Sequence, residues 1–141
     1  MRYNPVVIVE DSDADFYAMR RVLQKALPCE IVRCSTGNEA LDYLFRRGTY
    51  PKAAVPSLIL LDLNLPGKDG RSILAQVKQD KKLCATPVVI VSTSDNPADV
   101  MYCYTNGCSG YVVKALSFER FSLALQTLCS YWFRAVTLPQ Q

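Results

Sequence analysis

Five short apolar runs rich in β-branched residues recur along the chain: PVVIVE (5–10), EIVRC (30–34), SLILLD (57–62), PVVIVS (87–92) and GYVVK (110–114). In the third, LILL lies between Pro56 and Pro66-Gly67. A continuous apolar run bounded in this way predicts a strand buried on both faces. Between the runs the apolar spacing turns helical. Phe16, Met19 and Leu23 fall on one face, as do Leu41, Leu44 and Phe45 in the next segment and Ile73, Leu74 and Val77 after Gly70. Ser12 with Asp15, and Thr36 with Glu39, have capping-box spacing. Asn96-Pro97 reads as an N-cap and first helical residue, Gly107 as a C-terminal stop, and a fifth helix is predicted from about Ser117 to Phe133.

Five strand–helix units with short connections predict an α/β domain, a doubly wound five-stranded parallel sheet with helices on both faces. Parallel neighbours need crossovers long enough to hold a helix, and those crossovers are right-handed. A chain of 141 residues, 50% of them hydrophobic, suffices for one such domain. No repeat or linker divides it. Residues 1–135 are expected to form the domain and VTLPQQ (136–141) a tail.

Charge and composition narrow the chemistry. The net charge is only +3, and the basic pairs at 20–21, 46–47 and 81–82 are scattered, so nothing calls for nucleic acid. No leader-like stretch and no run of about 18 apolar residues is present, which predicts a soluble, cytoplasmic protein without a membrane partner. The six cysteines, Cys29, Cys34, Cys84, Cys103, Cys108 and Cys129, include no CxxC pair and are expected to be buried, reduced thiols. With no histidine in the chain, Ser-His and Cys-His catalysis are excluded, and any phosphohistidine must belong to a partner.

The ends of the runs are the informative places, because open α/β sheets bind ligands beyond the carboxyl ends of their strands. Runs one, three, four and five end in Glu10-Asp11, Asp62, Ser92 and Lys114. One acid after a strand is most simply a cap or turn residue, as Asp11 or Asp69 would be alone. Three carboxylates converging on one point make a site suited to Mg²⁺. A lysine and a hydroxyl beside them supply what an incoming phosphoryl group needs.

These residues carry a resemblance. VIVEDSDAD, LILLDLNLPGKDG, PVVIVSTSD and GYVVKA are similar to the acidic pair, phosphoacceptor strand, switch-hydroxyl strand and lysine strand of the response-regulator receiver domain, over nearly the whole chain. The resemblance implies Asp62 as phosphoacceptor. It implies Mg²⁺ held by Glu10, Asp11, Asp62 and the backbone carbonyl of Asn64, with Ser92 as switch hydroxyl, Tyr111 as the aromatic that changes rotamer and Lys114 as the basic partner. The closing YWFRAVTLPQ further resembles the single-domain regulators that serve bacterial and cyanobacterial phytochromes. A phytochrome-linked sensor histidine kinase is therefore the implied phosphoryl donor, and a phosphotransfer protein a possible recipient. The chain is then a signalling protein and not an enzyme, apart from slow autodephosphorylation. One departure stands out: receivers usually follow this lysine with a cis proline, and here Ala115 follows, where a cis bond would cost about 3–4 kcal/mol.

Other readings fit less well. Haloacid-dehalogenase phosphatases also phosphorylate a strand-end aspartate, but they need an acid two residues on, where this chain has Asn64. A flavodoxin-like phosphate site conflicts with the acidic EDSDAD after the first strand. A degenerate receiver that only binds proteins would have lost a site residue, and the sole departure is Ala115.

The last helix suggests a homodimer. Phe118, Phe121, Leu125, Leu128, Cys129 and Trp132 are expected to pack on the sheet, while Ala124, Tyr131, Phe133 and Ala135 widen the apolar arc to about 200°, well past the roughly 100° one core contact needs. Val100, Met101, Cys103 and Tyr104 extend the surplus onto the fourth helix. The alternative is that VTLPQQ folds back over the excess.

Overall fold

In a computed structural model, which describes residues 3–114 and 117–140, the five apolar runs form one parallel sheet. Its strands are β1 (Val6–Val9), β2 (Ile31–Cys34), β3 (Leu58–Leu61), β4 (Val88–Ser92) and β5 (Gly110–Val113), in the order β2-β1-β3-β4-β5. The helices are α1 (Asp13–Leu23), α2 (Gly37–Leu44), α3 (Gly70–Gln79), α4 (Pro97–Thr105) and α5 (Phe118–Ser130). This is the doubly wound sandwich the pattern predicts.

Period-two alternation divides the core in two. Val7, Val9, Ile59, Leu61, Val88 and Ile90 face α2, α3 and α4, where they meet Leu41, Leu44, Ile73, Leu74, Val77 and Cys103. Their neighbours Val6, Ile8, Leu58, Leu60, Val89 and Val91 face α1 and α5, against Phe16, Met19, Leu23, Phe121, Leu125 and Leu128. Both layers are apolar and buried, as expected of strands flanked by helices on each side.

Capping fixes where the helices begin. The side chains of Ser12, Thr36, Asp69, Asn96 and Ser117 each accept a backbone N–H from the first turn that follows. Gly107, at φ +92°, ends the α4 segment in a conformation that glycine adopts without strain.

The carboxyl end of the chain departs from expectation in three ways. The regular part of α5 stops at Ser130, and Tyr131–Ala135 form a π-helical turn closed by the Val136 N–H donating to the Tyr131 carbonyl at 3.1 Å. Phe118 does not pack on the sheet but is 53% exposed, because the first residue of α5 stands at the end of the core, beside Arg21 and Val22 of α1 and Lys25 just after it. Phe133 is not outward-facing either. The wider π turn swings it onto Tyr3, ring edge to face at 5.2 Å. Residues 136–140 then run along the amino-terminal ends of β1 and β3, near Asn4 and Ser57, with Leu138 buried. The thiols also differ in part from expectation: Cys84 is exposed and Cys29 half-buried, while the other four are buried.

Candidate functional site

Sheet register places the strand-end residues before any side chain is considered. Val9, Leu61, Ile90 and Tyr111 form one row across four strands. That row faces α2, α3 and α4, and Tyr111 packs half-buried against their core. One residue further on, the alternation reverses. Glu10 and Asp62 turn toward the α1 side, still tied to the ladder by the Glu10 N–H on the Cys34 carbonyl and the Asp62 N–H on the Val9 carbonyl, each 3.0 Å. Lys114 lies two past Val112 and so shares that side, its N–H donating to the Ser92 carbonyl at 2.7 Å. Ser92 has the opposite parity and lies with Tyr111.

The acids meet where the strands end. Glu10, Asp11 and Asp62 each offer a carboxylate oxygen, and these oxygens lie within 4.8 Å of one another. Glu10 and Asp62 are buried, Asp11 exposed. Into this cluster the Lys114 ammonium donates three hydrogen bonds, to Glu10 Oε2 at 2.8 Å, Asp15 Oδ2 at 2.8 Å and Asp62 Oδ2 at 3.2 Å. Burial pushes the Glu10 carboxyl up to about 7, with the charge of Asp62 adding to it and the Lys114 hydrogen bond opposing. For Lys114, burial acts downward but is outweighed by the hydrogen bonds to Asp15 and Glu10 and the charges of Asp62 and Glu10, which raise it above the usual lysine value.

Three carboxylates surround one ammonium and Asp11 adds a fourth to the cluster, so the site is markedly anionic. Its all-oxygen donor set and surplus negative charge fit a hard divalent cation, and Lys114 already occupies the position of a partial counter-charge. Asn64, two residues past Asp62, is exposed and donates its N–H to Asp62 Oδ1 at 3.2 Å, which steadies that carboxylate.

Ser92 and Tyr111 belong to a second network. Ser92 Oγ is fully buried and accepts the Ser94 N–H at 3.1 Å. Ser94 accepts the Tyr111 hydroxyl on its carbonyl at 2.8 Å and donates its own hydroxyl to Asp99 Oδ2 at 2.6 Å. Asp99 on α4 is gripped by the guanidinium of Arg71 on α3, and the Ser94 hydroxyl and Arg71 together hold its carboxyl below the usual carboxylate range. One residue of the β4–α4 loop thus ties Ser92, Tyr111 and α4 together.

The structure therefore brings Glu10, Asp11, Asp62 and Lys114 to one point, with Asn64 at its rim and Ser92 and Tyr111 on the adjoining loop. The Lys114–Ala115 peptide bond lies outside the described residues. Asp15, Ser94, Arg71 and Asp99 are additional participants that strand-end reasoning does not find. Asp15 did carry a signal, its capping-box spacing from Ser12, but only half of that box forms. The Asp15 N–H donates to Ser12 Oγ at 3.2 Å, whereas the Ser12 N–H goes to Glu10 Oε1 at 3.1 Å, leaving the Asp15 carboxylate free to reach Lys114.

Residues 6–126 match the model of the response regulator receiver domain. The chain belongs to that family. Its relatives include the response regulator Rcp1 of Synechocystis sp., 38% identical over 135 residues that span 95% of this chain and 92% of Rcp1. Among solved structures, the phosphorylated cyanobacterial phytochrome response regulator RcpA superposes with a TM-score of 0.93 at 37% identity, covering 98% of this chain and 99% of RcpA. The Mn²⁺-bound form of Rcp1 gives the same TM-score and identity, with coverage of 97% and 99%. The receiver fold and the kinship with phytochrome response regulators are thereby established. No helix among the described residues is long and apolar enough to cross a membrane.

Proposed function

We propose that this receiver, built from residues 1–135 with 136–141 as its tail, takes a phosphoryl group onto Asp62 from a partner sensor histidine kinase that is phytochrome-linked and cytoplasmic, as the receiver itself is. The observation that supports this most directly is the meeting of Glu10, Asp11, Asp62 and Lys114 at the carboxyl edge of the sheet. A carboxylate oxygen of Asp62 bonds to phosphorus as the P–N bond of the partner's phosphoimidazole breaks. The bonding pair leaves on the imidazole nitrogen, which then takes a proton. Rigid strands hold the acceptor in line, so little reorganisation is needed. Lys114 stabilises negative charge on the transferred oxygens. Glu10, Asp11, Asp62 and the Asn64 carbonyl would hold Mg²⁺, which supplies Lewis-acid neutralisation of the same oxygens. Slow attack of water on phosphorus would return the carboxylate and release phosphate. The kinship with RcpA and Rcp1 supports the phytochrome link. The output is a protein contact, or relay to a phosphotransfer protein.

The test is labelling by a small acyl phosphate. With Mg²⁺ present the protein should gain one acid-labile phosphoryl group that maps to Asp62, and chelator should suppress it. Labelling that survives chelation or maps elsewhere would overturn the reading. In the same sample Ser92 should move toward the new anion and Tyr111 should exchange its hydrogen bond on Ser94 for a more inward rotamer. An unchanged Tyr111 in structures with and without a phosphoryl mimic would count against that switch.

A homodimer through the C-terminal helices completes the proposal. Met101 and Tyr104 on α4, Leu123 on α5 and Tyr131 in the π turn are all at least half exposed, at 68%, 51%, 64% and 51%. Tyr104, Leu123 and Tyr131 line one open groove along the β5 edge, and the tail residues line a different one. An apolar strip of this kind suits a two-fold mate. Sedimentation at micromolar concentration should report a dimer that Tyr131→Asp converts to monomer. Phe133→Asp should instead cost stability, since that ring packs on Tyr3. A wild-type monomer, phosphorylated or not, would refute the dimer.

A further inference from the structure

We infer that Asp15 is a positioning residue for phosphoryl transfer, holding the Lys114 ammonium over the acceptor from the α1 side while Glu10 and Asp62 turn to a cation. The inference rests on the reading of Asp62 as phosphoacceptor and asks what keeps Lys114 in place as the site fills.

An ammonium has three donors, and here all three are spent on carboxylates: Glu10, Asp15 and Asp62. Two of these belong to the cluster suited to a divalent cation, and Asp15 does not. A cation held by Glu10 and Asp62 would compete with Lys114 for their negative charge and weaken its hold on them. Asp15, outside that cluster, is the carboxylate partner whose hold would be undiminished. Without Asp15 the ammonium would compete with the cation for the same two acids and, once displaced, would be released to solvent on a flexible four-carbon stem.

Local structure explains why Asp15 is available. It sits in the first turn of α1 with its N–H anchored on Ser12 Oγ. The capping duty its carboxylate would ordinarily perform, accepting the Ser12 N–H, is performed by Glu10. Sheet parity also turns Lys114 toward α1, so the pair is prearranged by the backbone. At 44% exposure Asp15 remains partly screened by water, which fits an orienting role better than a large contribution to stability.

A helix-terminal acid also favours the helix dipole, and the experiment separates the two roles. Labelling by an acyl phosphate is measured at saturating Mg²⁺, so that altered cation affinity drops out. Asp15→Asn should label about tenfold more slowly and Asp15→Glu should recover to within about threefold of wild type. Asp13→Asn removes the same charge from the same helical turn, where Asp13 pairs with Arg33, and should stay within about twofold. In a Lys114→Ala background, Asp15→Asn should change the residual rate by less than about twofold, since the effect acts through the lysine. As a readout independent of turnover, the Lys114 ammonium of Asp15→Asn with Mg²⁺ and a phosphoryl mimic should be more mobile by NMR than in wild type. A wild-type rate in Asp15→Asn, an equal loss with and without Lys114, or unchanged ammonium mobility would overturn the inference. If Asp62→Asn labelled as well as wild type, the acceptor assignment would be at fault instead.

Discussion

Asp62→Asn should take Mg²⁺-dependent labelling to background while leaving the domain folded. The carboxamide has no anionic oxygen to attack phosphorus, and it is a poorer ligand for a hard cation. The fold should tolerate the change because Asp62 adds repulsion to the buried Glu10, whose carboxyl it helps to raise. Lys114 keeps Glu10 and Asp15 as partners. Removing one charge from a surplus of carboxylates relieves strain at least as much as it forfeits the 3.2 Å contact to the ammonium. The thermal midpoint in chelator should therefore match or exceed that of wild type. Retained Mg²⁺-dependent label in this variant would remove Asp62 from the chemistry, and an unfolded variant would show that the acid is structural.

Gly70→Ala should be among the most damaging single-methyl additions in the molecule. A β-carbon there would lie 2.1 Å from the Asp62 carbonyl oxygen, 2.7 Å from the Leu63 α-carbon and 3.0 Å from the Asp62 carbonyl carbon. These are backbone atoms at the end of a central strand and cannot rotate aside. The Gly70 N–H also donates to the Leu63 carbonyl at 2.9 Å, so α3 starts directly against the segment that carries Asp62. The overlap should cost about 3 kcal/mol, lowering the thermal midpoint by roughly 10 °C, with Asp62 displaced and labelling slowed. Gly110→Ala is the internal control, because its β-carbon meets nothing nearer than Val89 at 3.8 Å. Equal stability of the two variants by thermal denaturation would contradict the packing described.

The strands were legible because each is a continuous apolar run ended by a polar residue, and Glu10, Asp11, Asp62 and Lys114 were legible because they are those ends. What escaped was set by partners remote in sequence. Asp15 is diverted from its cap by a lysine 99 positions away, and Arg71 meets Asp99 across 28 positions. Neither pairing leaves a local trace. Phe118 and Phe133 were misplaced because a helical wheel assumes about 100° per residue and neighbours on every side. Phe118 stands at a helix start, at the end of the core, and Phe133 follows a turn of different pitch. The division of the site into an α1-facing group and an α4-facing pair was within reach of the sequence, since strand parity alone assigns it.

The π turn at Tyr131–Ala135 behaves as a spacer whose length matters more than its lettering. A turn closed from i to i+5 holds one more residue than an α turn, so it delays everything after it by one position. Trimming one residue from this stretch would leave an ordinary α turn with nearly the same exit direction, whereas trimming a second would rotate the following chain by about 100° and turn Leu138 away from its buried place. Changing side chains there would leave the exit direction as it is. Variation in this region should therefore be counted in insertions and deletions before it is read as substitutions.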